Sequence, residues 1–189
     1  MNLILASNSP RRKELLTKFG FDFRVITSNF SEESKDELPV ETAKSNARGK
    51  AQSVFDSLNK ECRQNSVVLG ADTIVCIDGV ILGKPKNEIE AQDMLKRLSN
   101  KTHQVITGYC IITKDTRIEK AEISQVTFNN LSKSLINEYI ESRSPFDKAG
   151  GYGIQDEFNL VKSYSGSFNK IVGLPVEVFE KELNEIIKK

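Results

Sequence analysis

Apolar and polar positions along this chain change period several times, and each change marks an element. Residues 3–6 are a short apolar run that predicts a buried strand, 7–10 read as a turn, and 11–19 as a helix that stops before Gly20. Residues 23–27 predict a second strand. The stretch 28–39 carries four acidic residues and no core pattern, so it reads as a surface loop. Val40, Ala43, Ala47, Ala51, Val54 and Leu58 then recur at helical spacing, which predicts the longest helix over 40–58. Residues 66–77 and 80–82 flank Asp78-Gly79 as two arms of a hairpin. The first arm is interrupted by Gly70-Ala71-Asp72-Thr73.

Asn87 suits a helix N-cap with Glu90 three residues on, and Ala91, Met94, Leu95 and Leu98 supply the buried face of that helix. Residues 103–113 and 118–128 run apolar or alternate, with 114–117 between them, as in a long antiparallel pair. A helix over 132–142 follows. The last third alternates glycine-rich turns with short strands, including a hairpin at Ser165-Gly166, and closes with a helix over 176–187. There is no internal repeat and no low-complexity linker. Strands interleaved with helices in this way predict an α/β fold.

At 189 residues the chain is long enough for a real core, as one domain or as a compact unit of two lobes. Lys and Arg number 27 against 26 Asp and Glu, so net charge gives no argument for binding nucleic acid or an anionic membrane. Phosphate chemistry must therefore come from local clusters. Cys62, Cys76 and Cys110 are odd in number and show no CxxC spacing, which points to reduced thiols and a cytoplasmic setting. The N-terminus has its charges after a short apolar run, the reverse of a signal peptide, and no stretch reaches membrane-spanning length.

Four clusters are candidates for chemistry. In Ser7-Asn8-Ser9-Pro10-Arg11-Arg12-Lys13, Ser9 suits the helix N-cap and Pro10 the first helical position, so the cap alone needs no function. The three cations do, because they oppose the positive end of the helix dipole. A bound triphosphate would relieve that, held by N–H groups, the hydroxyls of Ser7 and Ser9, and guanidinium groups. The plain alternative is a solvated basic turn. Second, Asp72 stands inside the apolar run 67–77, where an unpaired carboxylate is costly. It needs a cation, a hydrogen-bond donor or a metal, unless a bulge or strand end puts it in water. With such a partner it suits a metal ligand or a base that activates water.

Third, Gly83-Lys84-Pro85 projects Lys84 from a rigid corner, as a phosphate-binding lysine requires, although solvated turn lysines are commoner. Lys50 borders the apolar stripe of the long helix, so its stem can lie on the core while its ammonium reaches a cleft. The alternative is a surface lysine. Fourth, the glycines of Asp147-Lys148-Ala149-Gly150-Gly151-Tyr152-Gly153-Ile154-Gln155 let backbone approach a ligand, and Gln155 offers a donor and an acceptor to a base edge. Neither GxGxxG nor a Walker A pattern is present. His103, the single histidine, makes a zinc site or a histidine-based triad improbable and reads as packing. Asp72, Glu32, Glu33 and phosphate oxygens suit magnesium or manganese.

Taken in order, LASNSPRRKELL, the ETAKSNARGKA helix, GADTIV, GKP, the HQVITG strand and DKAGGYGIQ followed by VGLP resemble the Maf family from end to end. The run SPRR, ADT and GIQ is similar to the subgroup acting on dTTP and UTP; the other subgroup prefers a methylated guanosine triphosphate. In the first, an arginine after the proline, a threonine after the catalytic aspartate and the GIQ glutamine go with pyrimidine choice. Here these are Arg11, Thr73 and Gln155. The resemblance implies a Maf/ITPase-like fold, an elongated mixed sheet flanked by helices with a central cleft, and a homodimer; the near-neutral charge and the lack of a spanning stretch predict no nucleic-acid or membrane partner.

The resemblance further implies that Asp72 is the proton acceptor and that Ser9, Arg12, Lys50 and Lys84 face the triphosphate. The family's acidic residue after the second strand aligns with Glu32, with Glu33 as the alternative because the loop reads TSNFSEES. Mg2+ or Mn2+ on Asp72 and Glu32 is the expected cofactor. Asp156 stands where the family has glycine after GIQ, and the following EFNLVKSYSGSFNK is glycine-poor, which bears on the base pocket. The implied activity is hydrolysis of dTTP or UTP, or of modified pyrimidine nucleotides, to the monophosphate and pyrophosphate. Two rivals remain. A nucleotide-binding regulator of septum formation would need the cations but not a water-activating carboxylate, and an RNA-binding protein would need an aromatic and basic face.

Overall fold

The computed structural model describes residues 1–32 and 38–187. Among them lie strands β1 (Asn2–Leu5), β2 (Phe23–Val25), β3 (Ser66–Ile77), β4 (Val80–Leu82), β5 (Thr102–Ile112), β6 (Arg117–Phe128) and β7 (Val161–Ser165). The helices are α1 (Pro10–Lys18), α2 (Pro39–Ser57), α3 (Lys60–Asn65), α4 (Glu88–Leu98), α5 (Lys133–Glu141), α6 (Phe168–Val172) and α7 (Val176–Ile187). The strands hydrogen-bond in the order β2-β1-β3-β5-β6-β7, with β4 on β3. β1 runs parallel to β2 and β3, whereas β4 pairs antiparallel with β3 and β7 with β6. The sheet is mixed and the class is α/β, as the pattern predicts.

The chain divides into two compact units: Met1–Asp72, Thr107–Glu122 and Gly173–Lys189 in the first, Thr73–Ile106 and Ile123–Val172 in the second. In the first unit, the alanine stripe of α2 packs on the sheet, with Ala47, Ala51 and Val54 in one cluster with Ile4, Val68 and Cys110. The small side chains bring helix backbone unusually close to strand backbone. A Cβ on Gly70 would sit 2.3 Å from the Ala47 carbonyl oxygen, and one on Gly108 2.4 Å from that of Ala43. Glycine inside a strand here marks close backbone approach rather than a break. Accordingly β3 runs without interruption through Gly70-Ala71-Asp72-Thr73, where the sequence reading expects a gap.

The second unit has its own core, in which Val75, Leu82, Leu95, Phe128, Tyr139 and Ile140 are buried together. Asn87 caps α4, its side chain accepting from the Glu90 N–H at 2.9 Å. Glu90 reaches back to the Lys86 N–H at 2.9 Å, one residue earlier than in the usual reciprocal box. The hairpin expected at Ser165-Gly166 does not form: Ser165 ends β7, and Gly166, at φ +95°, turns the chain toward α6. α3 and α6, at six and five residues, are too short to show a helical period. All three cysteines are free; burial pushes the Cys110 thiol up to about 12. No helix among the described residues is long and apolar enough to cross a membrane.

Candidate active site

The loop between β1 and α1 is organised by Ser7. Its buried hydroxyl accepts from Arg12 Nη1 at 3.0 Å and from the Ser9 N–H at 3.2 Å. Ser9 does occupy the N-cap position and Pro10 the first turn, but no side-chain cap bond forms from Ser9, contrary to expectation. Arg12 is buried, and its Nε donates to the Gly173 carbonyl at 2.9 Å. Two fixed acceptors thus hold its guanidinium in one orientation. Burial lowers its pKa from the ordinary arginine value; the charges of Asp72 and Glu32 oppose that and Arg11 adds to it. Of the basic trio, then, Arg12 is buried on Ser7 and Gly173, while Arg11 and Lys13 stay half-buried.

Asp72 is 5% exposed and has the partners its apolar surroundings demand. Side chains on a strand alternate, so Val68, Gly70 and Asp72 all face α2. There Lys50 Nζ lies 2.6 Å from Asp72 Oδ1, and Asn46 Nδ2 donates to Asp72 Oδ2 at 3.0 Å. Asn46 and Lys50, four residues apart, project from the same side of the helix. The same ammonium pairs with Glu32 Oε1 at 2.6 Å. Lys50 is therefore the shared counter-ion of two carboxylates and not a surface lysine. Asn46 escaped the sequence reading, although its place one helical turn before a cleft-facing lysine was the available signal.

Glu32 is half-exposed and reaches the site through Lys50; Glu33 lies outside the described residues. Among the described residues no three His, Cys, Asp or Glu side chains converge as a metal cage. Two carboxylates meeting at one cation, with the remaining positions left to substrate oxygens and water, is nevertheless how magnesium is commonly bound. The donor set fits Mg2+ or Mn2+.

Thr73 follows Asp72 on β3 and is half-buried. In the second unit, Lys84 is exposed beside buried Pro85. The Gly83 carbonyl accepts from the Gly150 N–H at 2.9 Å, which ties the lysine corner to the glycine-rich turn. Gly150 and Gly151 have φ of +69° and +68°, a left-handed conformation that favours glycine. Gln155 is exposed, and Asp156 next to it is a strut. It accepts from Tyr139 Oη and from Ser144 Oγ at 2.8 Å, while Lys148 Nζ stands 3.6 Å away. Tyr139 Oη in turn accepts from the Gly153 N–H at 3.1 Å. His103 is packing, as expected: it is buried, with Nε2 2.6 Å from Tyr152 Oη.

Comparison with known proteins gives a match to the family described as Maf-like protein over residues 2–186. The dTTP/UTP pyrophosphatase of Pyrococcus furiosus is 48% identical, over 99% of this chain and 97% of its own length. That of Thermococcus onnurineus is 46% identical over 95% of each. A Bacillus cereus protein of the same name is 43% identical, over 97% of this chain and 94% of its own.

Proposed function

This chain belongs to the Maf-like protein family, and from that premise we propose that it hydrolyses dTTP and UTP to the monophosphate and pyrophosphate. The observation that carries the reading is the Asp72 carboxylate, withdrawn from water and clamped at both oxygens by Lys50 and Asn46. Relatives named dTTP/UTP pyrophosphatase over nearly the whole chain support turnover over a binding-only regulator of septum formation.

In the reaction, a water oxygen attacks the α phosphorus and the bond to the bridging α–β oxygen breaks. Pyrophosphate leaves with the electron pair, and Asp72 takes the proton of the water. Lys50 and Asn46 fix the carboxylate in the orientation needed to accept it. Arg12, immobilised by Ser7 and Gly173, places a permanent cation near the developing phosphate charge, with no reorganisation at the moment of reaction. Asp72 and Glu32 would hold Mg2+ or Mn2+, which supplies charge neutralisation and polarises the phosphoryl group. Arg11, Ser9, Thr73, Lys84 and Gln155 keep the substrate-binding roles that the family resemblance implies. Three free cysteines support a reducing, cytoplasmic setting.

The test is a nucleotide panel with a pyrophosphate readout, in Mg2+ and in Mn2+, that includes 5-methyl-UTP and 7-methyl-GTP. Metal-dependent release from dTTP and UTP, lost on chelation, is expected. Tight nucleotide binding without pyrophosphate release would instead favour the regulator.

A further inference from the structure

We infer that Gly49 and Phe30 are positioning residues that seat Glu32 on Lys50, through the ring of Phe30 resting on the side-chain-free spot of α2 at Gly49. This rests on the reading of Asp72, Lys50 and Glu32 as the reaction centre. Gly49 lies inside a 19-residue helix, where glycine is unfavourable relative to alanine. It has no left-handed backbone to justify it. What it has is a neighbour: a Cβ built there would sit 2.3 Å from Phe30 Cε2, 2.4 Å from Cζ and 2.6 Å from Cδ2. The ring fills the space a methyl would take.

The contact matters because of what lies on either side of it. Lys50 follows Gly49 directly, and Glu32 is two residues beyond Phe30, in a segment outside any helix or strand. A Glu32 side chain that is 52% exposed and paired with a lysine gains little from the ion pair alone against the entropy of holding it. Phe30 supplies the missing anchor, assisted by its N–H donating to Ser28 Oγ at 3.0 Å. The helix cannot yield to a methyl at Gly49, because its backbone is pressed against the strands at Gly70 and Gly108. The ring must give way, and the anchor that seats Glu32 is lost with it.

The experiment compares Glu32→Gln, Gly49→Ala, Phe30→Ala and the double variant Glu32→Gln/Gly49→Ala with dTTP and magnesium, alongside melting temperatures. Glu32→Gln is expected to lose most of kcat. Gly49→Ala should melt at or above the wild-type temperature, since alanine favours helix, yet lose at least about tenfold in kcat. The ceiling is of the order of the 100-fold that a misplacement of about 1 Å can cost. Phe30→Ala, a half-buried residue outside the core, should show the same loss. In the Glu32→Gln background, Gly49→Ala should lower kcat by less than about twofold, which a merely structural role would not produce. Near wild-type kcat in Gly49→Ala and Phe30→Ala, with Glu32→Gln impaired, overturns the seat but leaves the reaction centre standing. Full activity in Glu32→Gln overturns both.

Discussion

Lys50 Nζ stands 2.6 Å from Asp72 Oδ1, with both side chains largely withdrawn from water. Removing Lys50 leaves Asp72 as a buried carboxylate without its paired cation, and such losses run to roughly 3 kcal/mol or more, whereas removing the Asp72 charge leaves Lys50 still paired with Glu32. Lys50→Met should therefore lose both stability and turnover. Asp72→Asn is expected to keep the fold, because the amide can still bond to Asn46 and Lys50, while pyrophosphate release falls below detection. Denaturant melts and a pyrophosphate assay on the two variants separate the effects; full activity in Asp72→Asn would remove it from the proton-accepting role.

Acid should act on the second unit through His103. Burial lowers its imidazole from the ordinary 6.5 to about 4. The unfolded chain therefore binds this proton more readily than the folded one between those values. The stability it contributes is fully present above about pH 6.5 and is lost as pH falls toward 4, by about 3 kcal/mol at most. Replacing it with Gln, which can still bond Tyr152, should flatten that part of the profile. Wild type and His103→Gln compared by urea denaturation at pH 7 and pH 4.5 give the check: equal pH slopes would show that His103 is not the group concerned.

The sequence made the elements legible wherever period and punctuation were strong: the alanine stripe of α2, the Asn87 cap and the Asp78-Gly79 turn all form as read. It misplaced those whose meaning depends on a distant neighbour. Gly70 looks like a strand break until Ala47 is found against it, and Ser9 looks like a cap until Ser7 is found holding the loop. The chemistry followed the same rule. Asp72 announced itself as a charge in an apolar run, whereas Asn46 is a polar residue on a mostly polar helix and is meaningful only once β3 lies beside it.

That close approach predicts how the first unit responds to a single methyl. At Gly70 the added Cβ would meet the Ala47 oxygen at 2.3 Å and the Ala51 nitrogen at 2.7 Å, both backbone atoms that cannot swing aside. Gly70→Ala should push α2 off the strand and destabilise the protein by about 1–3 kcal/mol, the usual cost of overpacking. Displacing α2 also displaces Asn46 and Lys50 from Asp72, so activity should fall in step with stability. A Gly70→Ala protein with wild-type melting temperature would mean that the helix has freedom the packing denies it.

Asp156 offers a test of how the Gly-Ile-Gln turn is held. It accepts hydrogen bonds from Tyr139 and Ser144, and Tyr139 holds the Gly153 N–H at the start of the Gly-Ile-Gln turn. Burial raises the Tyr139 phenol above its ordinary value, and the bond to Asp156 adds to this, so the hydroxyl stays protonated and remains a donor across the working pH range. Asp156→Ala strips one acceptor from two buried or half-buried hydroxyls and a counter-charge from Lys148, a loss of about 1–3 kcal/mol. Asp156→Asn keeps an acceptor and should cost less. If the turn presents Gln155 to the base, Asp156→Ala should raise KM for dTTP and narrow the preference over purine triphosphates while changing kcat little. Steady-state kinetics on dTTP, UTP and GTP read this directly, and an unchanged substrate ranking in a destabilised Asp156→Ala protein would confine the strut to a structural role.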